Sequence, residues 1–208
     1  DYAKITVQGT NSSGTTFDAA QILFEHDTAT AGNRQGAISF KTSTGAATVA
    51  EALRIDNAGH VTAPLNSAFK ATGASVSNIT GDGTLYQMIF GTDIFDANGD
   101  HADGVFTAPV SGNYFFHATC FLLGMTSAGT LVYLDFITSD GGTDDVRAHY
   151  HNPAPIIVGD YYHMSGSCNT YLDAGDTMVV KVAVGNIGSK VVDIDGGYNM
   201  SFGGFLTG

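Results

Sequence analysis

The stretch Asn113–Leu123 (NYFFHATCFLL) constrains this chain more than any other. Successive side chains of a β-strand point to opposite faces. One face here carries Tyr114, Phe116, Ala118, Cys120 and Leu122, and the other Phe115, His117, Thr119, Phe121 and Leu123. A sandwich strand with one wet face alternates apolar with polar. This strand is apolar at most positions of both faces, so something must cover the second. No segment of the sequence sustains the 3.6-residue period of an amphipathic helix that could do so. The remaining covers are a larger β core or another copy of the chain, and the second is the expectation taken forward.

Composition points the same way. Charged residues make up 13% of the chain and apolar residues 43%, against ~25% charged in an ordinary globular domain. That leaves little material for a solvated monomer surface and favours an oligomer. The formal net charge of −12 weighs against nucleic acid, which requires clustered cations, and against an anionic membrane surface. No apolar run approaches the ~18–20 residues of a membrane span, and no signal peptide is visible. No membrane insertion is expected. Cys120 and Cys168 occur without a C-x-x-C spacing, and read as small buried apolar residues rather than a disulfide scaffold or a zinc knuckle. The chain opens on Asp1 rather than methionine, which predicts a fragment or a processed product.

The charges divide the chain in two. Both glutamates, Glu25 and Glu51, lie before residue 64, and every acid after it is aspartate. Aspartate favours turns, so the second part reads as strands joined by Asp/Gly loops. Residues 1–63 hold short alternating segments such as Lys4–Gln8, Gln21–Glu25 and Gln35–Phe40, separated by Gly/Asn clusters. Val49–Ile55 (VAEALRI) has some helical propensity, but the turn signal Asp56–Gly59 after it favours strand, turn, strand. A stretch this short is marginal alone, and wrapping around other copies would bury its faces. The expected organisation is therefore a fibrous β shaft over 1–63, intertwined with other copies of itself, and an all-β head over 64–208. Strand candidates in the head are 68–74, 85–90, 104–108, 112–123, 130–138, 146–151, 161–172, 177–184 and 198–206.

Residues 104–116 (GVFTAPVSGNYFF) resemble the signature of the globular head of complement component 1q, through Phe106, Thr107, Pro109, Gly112, Tyr114 and Phe116. Ala68-Phe69, Leu172–Asp176 and Phe202–Leu206 resemble that family's opening strand, late turn and closing strand. The resemblance covers roughly 66–208. It implies a ten-stranded jelly-roll β-sandwich of the complement 1q and tumour-necrosis-factor type, a homotrimer with no catalytic activity. It also implies a trimer interface on the closing and long aromatic strands, at Tyr114, Phe116, Phe202 and Phe205. The collagen stalk of that family is absent here. Glu51, Leu53, Arg54, Ile55, Asp56, Gly59 and Val61 instead resemble a recurring element of bacteriophage tail fibres. Together the two resemblances imply a virion tail-fibre tip, extracellular, that binds a host cell-surface glycan or protein during adsorption, with Gly208 suiting its C-terminus. Alternatives are a secreted head of the complement 1q type, and a tailspike depolymerase. The depolymerase would need paired carboxylates ~5–9.5 Å apart in a groove, whereas the acids here sit in turns.

Three groups of residues are site candidates. Asp96, Asn98 and Asp100 match the first ligands of a calcium loop, with Asp103 close behind. His101 and Thr107 break the pattern where Gly and Glu belong, so the loop reads either as a solvated turn or as a Ca2+ site. Arg147, Tyr150, Tyr161 and Tyr162 flank Pro153 and Pro155; exposed aromatic and Arg side chains suit receptor recognition. His149 and His151 lie two apart on one strand face; three such pairs around a threefold axis could hold a metal, but the complement 1q resemblance puts this strand on the outer sheet, away from the axis.

Overall fold

The computed structural model describes residues 3–26, 36–43, 45, 48–140, 143–152 and 161–207. The chain divides into two compact units, Asp1–Asn66 and Ser67–Gly208. In the first, β1 (Ala3–Thr10), β2 (Thr16–His26), β3 (Gly36–Ser43), β4 (Val49–Ile55) and β5 (Val61–Thr62) pair in chain order as an antiparallel meander. Register sorts the side chains. Ile5 lies opposite Ile22, Ile22 opposite Phe40, and Phe40 opposite Leu53. One face is thus a row of apolar residues, on which Ile5, Val7, Phe24, Phe40 and Val61 are exposed. The opposite face is held by polar contacts. Ser39 Oγ donates to Glu25 at 2.9 Å, and the Arg54 guanidinium lies 3.5 Å from Glu25 and 3.7 Å from Glu51. VAEALRI is strand β4 throughout. The turn after it closes because Asp56 Oδ1 accepts the backbone N–H groups of Ala58 and His60, and because Gly59 takes a φ of +84°.

The second unit opens with β6 (Ala68–Thr72), β7 (Val76–Thr80), β8 (Tyr86–Gln87), β9 (Thr92–Asp96), β10 (His101–Ala102) and β11 (Val105–Thr107). It continues with β12 (Gly112–Leu123), β13 (Leu131–Asp140), β14 (Thr143–Asn152), β15 (Tyr162–Leu172), β16 (Thr177–Gly185), β17 (Val192–Ile194) and β18 (Ser201–Leu206). Eight of these nest: β6 pairs β18, β11 pairs β16, β12 pairs β15, and β13 pairs β14. First with last, second with seventh, third with sixth and fourth with fifth is the pairing of a long hairpin rolled into two sheets, which is a jelly roll. One sheet runs β15–β12–β18–β6–β9, with β17 and β7 beyond the end of β18; the other runs β10–β11–β16–β13–β14, with β8 on β16. Thirteen strands occur among the described residues of this unit rather than the ten expected. The extra ones are two- to five-residue pairings at the corners, too short for an alternation pattern to reveal.

The core lies between the two sheets. From β12 it takes Tyr114, Phe116, Ala118, Cys120 and Leu122, from β13 Val132, Leu134 and Phe136, and from β16 Met178, Val180, Val182 and Val184. Phe69, Phe106, Phe116 and Phe202 form an aromatic knot, with Phe69 4.9 Å from Phe202 and 5.1 Å from Phe106 between ring centroids. Gly204 is what lets the closing strand approach it, since a Cβ there would lie 2.4 Å from the Phe116 ring. Burial pushes the Cys120 thiol up to about 12 and also raises that of Cys168, so both stay protonated and serve as packing.

Candidate functional site

Strand β12 alternates between buried and half-exposed along its length. Its second face, Phe115, His117, Thr119, Phe121 and Leu123, is the outside of the sandwich. Phe205 lies opposite Phe115 on β18 and Phe95 opposite Lys70 on β6. Phe115 and Phe205 have ring centroids 5.5 Å apart. These aromatics, with Ala68, Lys70, His117 and Gly203, line an apolar groove of about 320 Å3. Of its lining residues, Phe95 and Phe205 are each about half exposed. The expected trimer interface needs correction here. Tyr114, Phe116 and Phe202 have no exposed surface; they point inward and fill the core of their own chain, because a strand in a two-sheet sandwich must give one face to the interior. Of the four, only Phe205 faces out. The resemblance named strands whose outer faces carry exposed aromatics, but three of its four residues lie on the inner faces of those strands.

The aspartate-rich loop is organised around the Asp96 carboxylate. Asp96 Oδ1 accepts the N–H groups of Asn98, Gly99 and Asp100, and its Oδ2 accepts that of His101 at 2.9 Å. Partial burial works to raise the Asp96 pKa, but the amides of His101, Asp100, Asn98 and Gly99 outweigh it and hold the carboxyl below its ordinary value. His101 is the second tie. Its side chain is fully buried and stacks on Phe69 at 4.7 Å. Its Nδ1 donates to Asp93 at 2.7 Å, and its Nε2 accepts the Gly104 N–H at 3.2 Å. Of the calcium candidates Asp96, Asn98, Asp100 and Asp103, the structure engages Asp96 with backbone amides. Among the described residues no three His, Cys, Asp or Glu side chains are arranged to hold a metal ion, and Asp96 already has backbone amides on both oxygens. Asp100 Oδ2 is buried without a partner among the described residues, and Asp103 takes a left-handed φ of +49° that turns the chain into Gly104. Sequence reading missed His101. Its position where a calcium loop needs glycine was the available signal.

The four expected receptor residues do not form one surface. Tyr150 and Tyr162 pack against the core. The Tyr150 hydroxyl bonds the backbone of Ser167, accepting its N–H at 2.9 Å, and so ties β14 to β15 across the edge of the sandwich. Its ring lies where any side chain at position 166 would stand, which makes Gly166 necessary. The Tyr162 hydroxyl accepts from Asn152 Nδ2. Both tyrosines are partly buried in edge packing, with their hydroxyls bonded. Tyr161 is exposed and lies 5.7 Å from Phe121, which adds it to the apolar outer face. Arg147 is on the other sheet, bonding Thr138 Oγ1 and pairing with Asp145 at 3.1 Å. Pro153 and Pro155 lie outside the described residues.

The outside of the β13–β14 sheet differs in kind. Asp135, nearly buried, accepts from His149 Nδ1 at 2.6 Å. Tyr133 packs against both imidazoles, 4.9 Å from His149 and 4.7 Å from His151. Sequence reading saw the two histidines but not Asp135; a lone acid inside the apolar run LVYLDFIT was its signal.

No family model matches the chain, and no curated protein does. Among solved structures, the globular domain of zebrafish complement 1qA protein is similar at 20% identity and a TM-score of 0.47, covering 69% of this chain and 98% of that one. Two crystal structures of murine APRIL, at pH 8.5 and pH 8.0, are similar at 10% and 11% identity, with TM-scores of 0.48 and 0.49. Each covers 68% of this chain and 98% of the other.

Proposed function

We propose that this chain is a non-enzymatic recognition head, extracellular, that assembles as a homotrimer and is carried on its N-terminal β meander. The observation that carries the reading is the groove-bearing outer face of the β12 sheet. Its half-exposed Phe95 and Phe205 each stand to gain about half of the ~1.5–3 kcal/mol of a full burial, and a stable interface needs only ~800 Å2 per partner. The complement 1q resemblance in residues 104–116 supports a threefold arrangement. The meander supports it independently, because its exposed apolar row also calls for another copy to cover it. Sedimentation of the full chain tests the proposal. A particle of three chain masses is expected, converted to single chains by Phe115→Asp or Phe205→Asp with the far-ultraviolet circular dichroism unchanged. A folded single-chain particle from the native sequence would overturn it.

A second reading narrows the first to a virion tail-fibre tip that binds a host-surface glycan or protein. It is favoured by the Glu51–Val61 segment, where the fibre-like motif has a physical role: Arg54 pairs with Glu25 and Glu51, and Asp56 with Gly59 closes the hairpin. Loss of phage adsorption on pre-coating host cells with the trimer would support it, and unchanged adsorption would leave the secreted head. Release of reducing ends from host polysaccharide would favour the depolymerase over both.

A further inference from the structure

We propose that His149 and His151 form a surface site for a borderline divalent cation such as Zn2+, with Asp135 as the positioning residue. Asp135 and His149 are directly opposite in register on β13 and β14. The carboxylate can only accept, so Nδ1 of His149 carries a proton, and in the neutral ring Nε2 keeps its lone pair. Asp135 has a side chain about 9% exposed and His149 one about 46% exposed, so the carboxylate anchors from within a ring that is half open to solvent. Carboxylate behind imidazole behind metal is the usual way a protein fixes a ligating histidine. His151 is two residues on, on the same face, and its ring centroid is 5.8 Å from that of His149. Metal–nitrogen bonds of ~2.0–2.1 Å at a tetrahedral angle set two imidazole centroids roughly 5 Å apart, a small rotation from the distance seen. Tyr133 packs on both rings and limits how far they turn away. Neither Nε2 of His149 nor the ring of His151 bonds a protein group among the described residues.

The surroundings suit a cation. Lys181, opposite Asp135 on β16, is paired with Asp144 at 3.0 Å, and Arg147 is paired with Asp145, so nearby positive charge is matched. The chain as a whole is at −12, which raises the local cation concentration. Imidazole ligands select Zn2+, Ni2+ or Cu2+ over Ca2+ or Mg2+. Two protein ligands leave coordination positions open to solvent.

Calorimetric titration of the full chain with ZnCl2 in a non-coordinating buffer tests this, alongside His149→Ala, His151→Ala and Asp135→Asn, with His163→Ala as control. One equivalent per chain is expected. Either alanine at 149 or 151 removes the saturable binding, and His163→Ala leaves it. Asp135→Asn weakens it 10–100-fold, at an unchanged stoichiometry and with the fold retained by circular dichroism. Should an alanine variant misfold, NMR of the imidazole C–H groups of the native chain reads the same point. Zn2+ must then shift two coupled histidines of the Tyr133 cluster and leave His163 in place. Absence of saturable binding at millimolar Zn2+, survival of binding in the double alanine variant, or a shift confined to other histidines overturns the site. An unchanged affinity in Asp135→Asn overturns the positioning role.

Discussion

The two sheets of the sandwich are alike inside and unlike outside. Inward, β12 and β13 contribute the same material, large apolar side chains with no exposure. Outward, the β12 sheet offers Phe95, Phe115 and Phe205 around a groove, and Phe121 beside Tyr161, whereas the β13 sheet offers Asp135, His149, His151 and Lys181. The interiors fold the chain, and any fold of this kind needs both. The exteriors are free of that demand, so their difference reports function. An aromatic surface is costly to leave wet and suits a partner of the same kind. A surface of paired charges and imidazoles is stable in water and suits an ion or a polar ligand.

The sharpest test of the shared interior is to cut both sheets equally. Phe116→Ala and Phe136→Ala remove fully buried rings from opposite sides of one core. Each should cost ~3–5 kcal/mol, read as matching losses in the denaturant midpoint. A large loss in one and a small one in the other would mean that the sheets do not share the core equally. The neighbouring Phe115→Ala separates interior from exterior. It should leave the isolated fold within ~1 kcal/mol of the native chain while weakening self-association, seen as a concentration-dependent shift in sedimentation. Next in size is Gly204→Ala. A methyl at that position meets the Phe116 ring and, at 3.0 Å, the carbonyl oxygen of Phe115. Such overpacking costs ~1–3 kcal/mol, measurable by thermal melting.

These contrasts also mark what the sequence could say. The order of the long strands was legible because alternation and Gly/Asp turns recur along the head, and the aromatic strand 113–123 carried the sandwich by itself. That both of its faces are apolar was legible too; which face belongs to the core was not, because alternation has two solutions when both faces are greasy. Only the register with β18, where Gly204 lies opposite Phe116 and Phe205 opposite Phe115, decides it. The short corner strands were hidden for another reason. Val76–Thr80 contains Asn78 at a φ of +58°, and Thr92–Asp96 reads as part of an acid cluster. The aspartate loop was seen as a site because its acids are close in sequence. The structure uses Asp96 on backbone amides and His101 on Phe69, two contacts that spacing does not encode.

That loop is where the chain leaves the aromatic sheet for the polar one, since β9 pairs with β6 and β10 with β11. If backbone amides rather than a cation hold the crossing together, its stability has a definite acid dependence. The Asp96 carboxyl is held below its ordinary 3.8 in the folded chain. Its contribution is thus complete above the unfolded value and is lost as pH falls through the lower, folded one. A loop held by calcium would behave differently, loosening on addition of chelator at neutral pH. The expected result is that amide exchange of Asn98–His101 stays slow in the presence of chelator at pH 7 and accelerates only below about pH 4. Asp96→Ala should reproduce the acid behaviour at pH 7, at a cost of ~0.5–2 kcal/mol by analogy with a lost helix cap. Chelator-sensitive exchange at neutral pH would return the loop to a metal. It would also make the crossing between the two sheets a second cation-binding part of the molecule.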